Sequence, residues 1–168
     1  MIRLLAAAAL AATLPMGAFA FDDADRQAVS EAARDYGRDF IAKDFEGLAS
    51  ALPPTLRAYM ADQLGASPDE VIGTMAEQMS VFLADTTVDK FTMDTSRMKT
   101  GETSNGIAYA FIPTASTVTG EGNTVSKDAQ TLAIEEGGSW YFLRIEQPQQ
   151  YEIVKAVFPG FERVRLPR

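Results

Sequence analysis

The chain has 168 residues, a formal net charge of −8, and neither cysteine nor histidine. Its length corresponds to one domain, and its acidity argues against nucleic acid or anionic membranes as partners, because phosphate binding depends on Lys and Arg. The missing residue types exclude disulfides, a cysteine nucleophile, a Ser-His-Asp triad and a histidine-bound metal.

The first twenty residues, MIRLLAAAALAATLPMGAFA, have the pattern of a secretory signal peptide. Arg3 precedes a run of Leu and Ala, and Ala18-Phe19-Ala20 fits a small-x-small cleavage site. We expect cleavage after Ala20 and a periplasmic or secreted protein, the short alanine-rich leader favouring a bacterial periplasm; an uncleaved anchor is the alternative. The mature chain, 21–168, is expected to form a single domain without a transmembrane span.

Helical periodicity dominates the beginning of the mature chain. It predicts a long amphipathic helix over 25–43, capped by Asp22 or Asp23. Asp44 begins a second helical segment, which Pro53-Pro54 interrupts. The apolar residues at helical spacing in the first helix are Val29, Ala33, Tyr36 and Phe40.

Two further helix boundaries follow from local signals. The interrupted helix is predicted to resume after the prolines and to end at Gly65. Ser67-Pro68-Asp69-Glu70 is typical of a capping box with proline at the first helical position, and it predicts a helix that ends near 84 or 85. A last helix is predicted over 149–157, followed by a loose tail from Glu162.

After Thr86 the pattern becomes typical of strands, which we expect near 87–98, 105–112, 114–120, 124–135 and 139–146. Glycine-containing breaks at 120–123 and 136–138 predict antiparallel hairpins. Pro113 lacks an N–H, so we place it at a bend or an edge. Helices followed by successive strands indicate an α+β fold, a curved, mostly antiparallel sheet with helices on one face.

Two segments carry a family resemblance. DRQAVSEAARDYGRDFIAKDFEGLASAL, with an aspartate before its second helix, resembles the opening of the NTF2-like superfamily, and GGSWYFLRI resembles that superfamily's last hairpin strand. The resemblance covers most of the mature chain and implies a cone-shaped sheet around a long helix, often with a pocket. Members include isomerases, dehydratases, toxin-immunity proteins and binding domains; the enzymes commonly use an Asp–His pair, and this chain has no histidine.

The last strands have apolar residues on both faces, because side chains alternate along a strand. Their aromatic residues are interpreted mainly as core, and a cavity between helix and sheet is the alternative. Arg144, on the Trp140 face, either contacts an anionic ligand or extends to the rim. The candidate ligand-binding residues are Tyr109, Phe111, Trp140, Phe142 and Arg144.

The remaining candidate sites concern acid–base catalysis, strand addition and metal binding. Asp94 or Glu146 beside Tyr109 or Tyr141 is a conceivable acid–base pair, although charges on strands are mostly solvated. The threonine-rich segment 114–126 is an ordinary hairpin or an edge for strand addition. No metal or cofactor is expected, since packing explains the methionines better than a Cu(I) site does; they are Met60, Met75, Met79, Met93 and Met98.

The preferred interpretation is an exported, non-enzymatic NTF2-like domain that binds a protein partner or a small apolar ligand. The alternative is an isomerase- or hydrolase-like enzyme that uses Asp or Glu together with Tyr inside the cone. Homodimerisation through the sheet's outer apolar face is compatible with either interpretation.

Overall fold

A computed structural model describes residues 21–167, so the predicted leader lies outside the described residues. Within that range the helices are α1 (Asp23–Ala42), α2 (Phe45–Ser50), α3 (Pro54–Leu64), α4 (Pro68–Phe82) and α5 (Pro148–Val157). The strands are β1 (Thr86–Met93), β2 (Lys99–Glu102), β3 (Ala108–Gly120), β4 (Asn123–Glu136) and β5 (Ser139–Ile145). The predicted α+β fold is confirmed.

Side-chain caps begin the helices where the sequence predicts. The Asp22 carboxylate accepts from the Asp25 N–H at the start of α1, and Asp44 accepts from the Gly47 N–H at the start of α2. Ser67 and Glu70 form the predicted capping box of α4. These bonds satisfy N–H groups that have no partner within the helix.

The strands form one antiparallel sheet in the order β1-β3-β4-β5, and β2 pairs with the first part of β3 beyond the end of β1. The sheet is curled into a half-barrel. Both predicted hairpins are present, with the two-residue turns Glu121-Gly122 and Gly137-Gly138. All four turn residues have φ between 50° and 83°, as type I′ turns require.

The strand boundaries around Pro113 differ from the prediction. The predicted strand 87–98 is interrupted at Asp94 and by a 3-10 turn at Thr95–Arg97, and Pro113 lies inside the continuous strand β3. Its carbonyl oxygen accepts from the Asp94 N–H at 2.8 Å. Because N and O of a strand residue point to the same side, the missing N–H faces the break between β1 and β2, and pairing with β4 is intact.

The curled sheet separates two apolar clusters. On one face, α1 and α2 pack on β1, β3, β4 and β5; this α1-side cluster contains Val29, Ala33, Tyr36, Leu48, Phe91, Met98, Ala110, Ile112, Ala133 and Phe142. On the other face, α3, α5 and the chain after α5 complete an α5-side cluster. It contains Leu56, Phe111, Leu132, Ile134, Ile145, Tyr151, Val154, Phe158 and Phe161.

The segment after α5 is part of the second cluster. Phe161 is fully buried, and Val164 and Leu166 pack against the same group of side chains. The Tyr151 hydroxyl donates to the Val164 carbonyl at 2.9 Å. The prediction of a loose tail from Glu162 is therefore wrong as far as residue 166, because apolar side chains at alternate positions attach it to α5. Among residues 21–167, no helix is both long and apolar enough to span a bilayer.

Candidate functional site

The register of the sheet divides the five candidate ligand-binding residues between its two faces. Tyr109 pairs with Ile134, and Ile134 pairs with Tyr141, so these three residues share the α5 side. Trp140, like Phe142 and Arg144, therefore projects to the α1 side. The structure brings Trp140, Phe142 and Arg144 together and places Tyr109 and Phe111 behind the sheet.

On the α1 side, the two β5 aromatics fill the seam between helix and sheet. Phe142 is 2% exposed, and its ring centroid is 5.3 Å from that of Tyr36. Its backbone N–H donates to the Ala51 carbonyl at 2.8 Å, which connects β5 with the end of α2. Trp140 contacts the ring of Phe21 edge to face at 5.6 Å.

Arg144 is a charged side chain within this apolar cluster. Its Nη2 donates to Ser116 Oγ at 2.8 Å, and its Nε lies 2.9 Å from Glu146 Oε1. The guanidinium carbon is 5.6 Å from the Phe40 ring centroid and 5.7 Å from that of Phe91. Nε is buried, and its contact with Glu146 is an ion pair without hydrogen-bond geometry; Nη1 is also buried and has no hydrogen-bond partner among residues 21–167. An unpaired buried donor costs about 1–3 kcal/mol, so this atom is an available donor for an incoming acceptor.

Tyr36 contributes a second polar group to the same region. Burial raises the pKa of the Tyr36 hydroxyl to about 12. The positive charge of Arg144 opposes that rise, whereas the negative charge of Glu146 adds to it. Tyr36 therefore remains protonated at neutral pH and is suited to donating a hydrogen bond rather than to accepting a proton. Its ring also packs against Phe91, with a centroid distance of 6.0 Å.

Buried threonines extend the polar region along the sheet. The hydroxyl groups of Thr114 and Thr131 form a hydrogen bond of 2.7 Å, and the Thr114 hydroxyl also donates to the Ile112 carbonyl at 3.1 Å. Thr131 pairs with Arg144 in the β4–β5 register. Hydroxyl, guanidinium and carboxylate groups thus occupy neighbouring positions on the α1 side of the sheet.

The α1-side face opens into a cleft near the tip of the β3–β4 hairpin, lined by apolar side chains and by Asp85 and Glu121. This tip cleft has a volume of about 310 Å³, with Val118 and Val125 of the hairpin opposite Phe82 at the end of α4. Phe82 is 84% exposed and Val125 is 52% exposed. Lys43, which follows α1, fixes this end of α4, because its Nζ donates to the Leu83 and Thr86 carbonyls at 2.7 and 3.0 Å.

Tyr109 and Phe111 belong to a separate cleft of about 380 Å³ on the opposite side of the sheet. The ring of Phe111 is 2% exposed and contacts Tyr109 at 5.6 Å and Tyr151 at 5.9 Å. Burial raises the pKa of the Tyr109 hydroxyl. This second cleft lies between β2 and the chain after α5.

The acid–base pairs considered from the sequence are not assembled. Asp94 caps the 3-10 turn and pairs with Arg97; hydrogen bonds from Ser96 and Arg97 lower the pKa of its carboxyl. Glu146 lies beside Arg144, on the side of the sheet opposite Tyr109 and Tyr141. No group of three or more metal-binding carboxylates occurs among residues 21–167; Met79 and Met93 pack against the α1-side cluster.

No protein-family model matches the chain, and no curated protein matches it significantly. Among solved structures, the chain is similar to Aln2 from a Streptomyces species, with a TM-score of 0.50 and 15% sequence identity. The alignment covers 80% of this chain and 97% of Aln2. At this identity the likeness shows the fold alone, a small α+β domain built on a curled antiparallel sheet.

Proposed function

We propose that the chain is an exported NTF2-like domain that binds a small, mainly apolar ligand carrying an anionic group. The ligand's acidic group contacts Arg144, and its apolar part lies in the tip cleft. The observation that carries this proposal is the buried Arg144 Nη1, which has no acceptor among the described residues. A carboxylate supplies that acceptor in a charge-assisted bond, which is stronger than a neutral one.

The tip cleft and Arg144 lie along one face of the sheet. Arg144 contacts Ser116, and Val118 is the next residue of β3 on the same face, about 7 Å further along the strand. A ligand with a short hydrocarbon chain therefore reaches from the guanidinium group to the exposed side chains of Phe82 and Val125. Covering those side chains removes apolar surface from water and favours binding.

Binding at Arg144 requires a neighbouring group to make room. The side chain of Glu146 is 35% exposed, whereas that of Arg144 is only 11% exposed. Glu146 is thus the partner with space to turn towards solvent, where Lys127 lies 3.4 Å from its carboxylate. With Glu146 turned away, the ligand's carboxylate approaches the guanidinium group and accepts a hydrogen bond from Nη1.

Two properties of the site favour binding over catalysis. Tyr36 is held in its protonated form by burial, with a pKa of about 12, so it is a poor general base at neutral pH. The Arg144 guanidinium group presents only hydrogen-bond donors, so it is suited to binding an anion rather than to accepting a proton. The enzymatic alternative instead requires a buried carboxylate with a raised pKa and a converging polar partner.

Decanoate tests the proposal, with decanol as its neutral counterpart in isothermal titration calorimetry of the full chain. We expect decanoate to bind at least tenfold more tightly than decanol, about 1.4 kcal/mol. Arg144→Leu is expected to abolish that preference, while Arg97→Leu, at an exposed arginine paired with Asp94, retains it. Equal binding of decanoate and decanol to the wild-type protein, or no binding of either, contradicts the proposal.

A protein partner is the second candidate, favoured by the exposed side chains of Val81 and Phe82 at the end of α4. Such a partner covers the same tip cleft. Native mass spectrometry of the protein from its source compartment separates the two candidates. A retained small molecule of acidic character supports the first, and a retained second protein whose loss follows Phe82→Ser supports the second.

A further inference from the structure

The cleft behind the sheet, here called the basic cleft, carries a charge opposite to that of the whole chain. Its walls include Lys99 of β2 and Arg163 and Arg165 of the segment after α5, with Glu102 as the acidic residue of the lining. The chain as a whole has a formal charge of −8. A local excess of positive charge in an acidic protein attracts small anions, particularly within a concave surface.

These three cations make no ion pair with any carboxylate in the described part of the chain. By contrast, Arg38, Arg97, Lys127, Arg144 and Lys155 each have a carboxylate partner within 4 Å. Bringing like charges together without a counterion is unfavourable. An anion in the basic cleft relieves that repulsion and gains bidentate bonds from guanidinium groups.

An aromatic ring forms one wall of the basic cleft. The Tyr109 ring lies directly over Gly101, where a Cβ atom would be 2.5 Å from the Tyr109 hydroxyl oxygen. It also contacts the buried ring of Phe161 at 5.3 Å. Burial raises the pKa of its hydroxyl. Tyr109 is half-buried and therefore offers the uncovered part of its ring and an O–H donor to the cleft.

We propose that the basic cleft binds a small organic anion, a carboxylate or phosphate group attached to a flat ring. Arg163, Arg165 and Lys99 surround the anionic group, and the ring stacks against Tyr109. The volume of about 380 Å³ lies within the range of small-molecule sites. This site is separated from Arg144 by the sheet, so its occupancy does not depend on the function proposed above.

Phenyl phosphate is the probe, titrated into the full chain at low salt and followed by calorimetry. We expect binding that weakens as salt is raised and that is at least tenfold weaker in the double variant Arg163→Gln/Arg165→Gln. The matched control is Lys155→Gln, a cation on α5 that is paired with Glu152, and it is expected to bind like the wild-type protein. Benzoate tests the carboxylate form of the same ligand class.

Two neutral or ring-free probes complete the test. Inorganic phosphate is expected to bind at least tenfold more weakly than phenyl phosphate, and phenol is expected not to bind. Tyr109→Phe keeps the ring and removes the donor, so it is expected to weaken phenyl phosphate severalfold. Equal affinity for inorganic phosphate and phenyl phosphate overturns the role of the ring. Absence of phenyl phosphate and benzoate binding, or unchanged binding in the double variant, overturns the site.

Discussion

Replacement of Phe161 by alanine is expected to lower the free energy of unfolding by about 3–5 kcal/mol, as is typical of large aromatic residues in a core. Phe161 is 0% exposed, and it contacts the rings of Tyr109 and Phe158 at 5.3 and 6.2 Å. Its removal leaves a cavity between α5 and β3 that these rings fill only in part. Urea denaturation, followed by far-ultraviolet circular dichroism, measures the change.

Arg163→Ala is the matched control, two residues along the same segment. Arg163 is exposed, so its loss is expected to change the free energy of unfolding by less than about 0.5 kcal/mol. A cost below about 1 kcal/mol for Phe161→Ala contradicts the packed arrangement of Phe161 against α5 and β3.

Raising the pH from 10 to 12 is expected to remove up to about 2–3 kcal/mol of stability through Tyr36 alone. Its pKa is raised from 10.0 to about 12 in the folded protein by burial. Above pH 10 the unfolded chain loses this proton while the folded chain retains it, so unfolding becomes more favourable. The contribution of the protonated Tyr36 hydroxyl to the free energy of unfolding is fully present below pH 10. It is lost as the pH rises through 12.

Tyr36→Phe removes the titrating hydroxyl and keeps the ring, so its unfolding midpoint in urea is expected to fall less between pH 10 and 12. Tyr59→Phe removes the same hydroxyl from a position on α3 that is 40% exposed, and its profile is expected to match the wild type. If the profiles of Tyr36→Phe and the wild-type protein coincide, Tyr36 is not the group responsible.

The helical part of the fold is predictable because its signals are local. Asp44 and Ser67 begin their helices with side-chain bonds that reach only three residues ahead. The break after β1 combines two bonds: the Asp94 carboxylate accepts from the Ser96 N–H, and the Asp94 N–H donates to the distant Pro113 carbonyl. The first bond is local and is the kind of turn signal that Asp94-Thr95-Ser96 carries, whereas the second depends on the folded sheet.

The sequence was sufficient to predict that the candidate site residues are divided between the two faces of the sheet. Both predicted hairpins have two-residue turns, and a two-residue turn fixes the pairing of its strands. Counting back from the pairs Gly120–Asn123 and Glu136–Ser139 places Tyr109 beside Ile134, and Ile134 beside Tyr141. Tyr109 therefore lies on the face of the sheet opposite to that of Arg144. The contacts of Arg144 with Ser116 and Phe91 were less accessible, since they depend on how β1 joins the sheet and how strongly it curls.

Strands β3 and β4 are packed on both faces of the sheet, and this packing determines how fast their amide protons exchange with deuterated water. Residues 110–112 and 132–134 are buried, with side chains packed into both apolar clusters. Their backbone protons are expected to exchange only when the entire domain unfolds, so they report its global stability. Residues 123–128 of the same strand β4 are exposed and are expected to exchange by local fraying, so one strand contains both extremes.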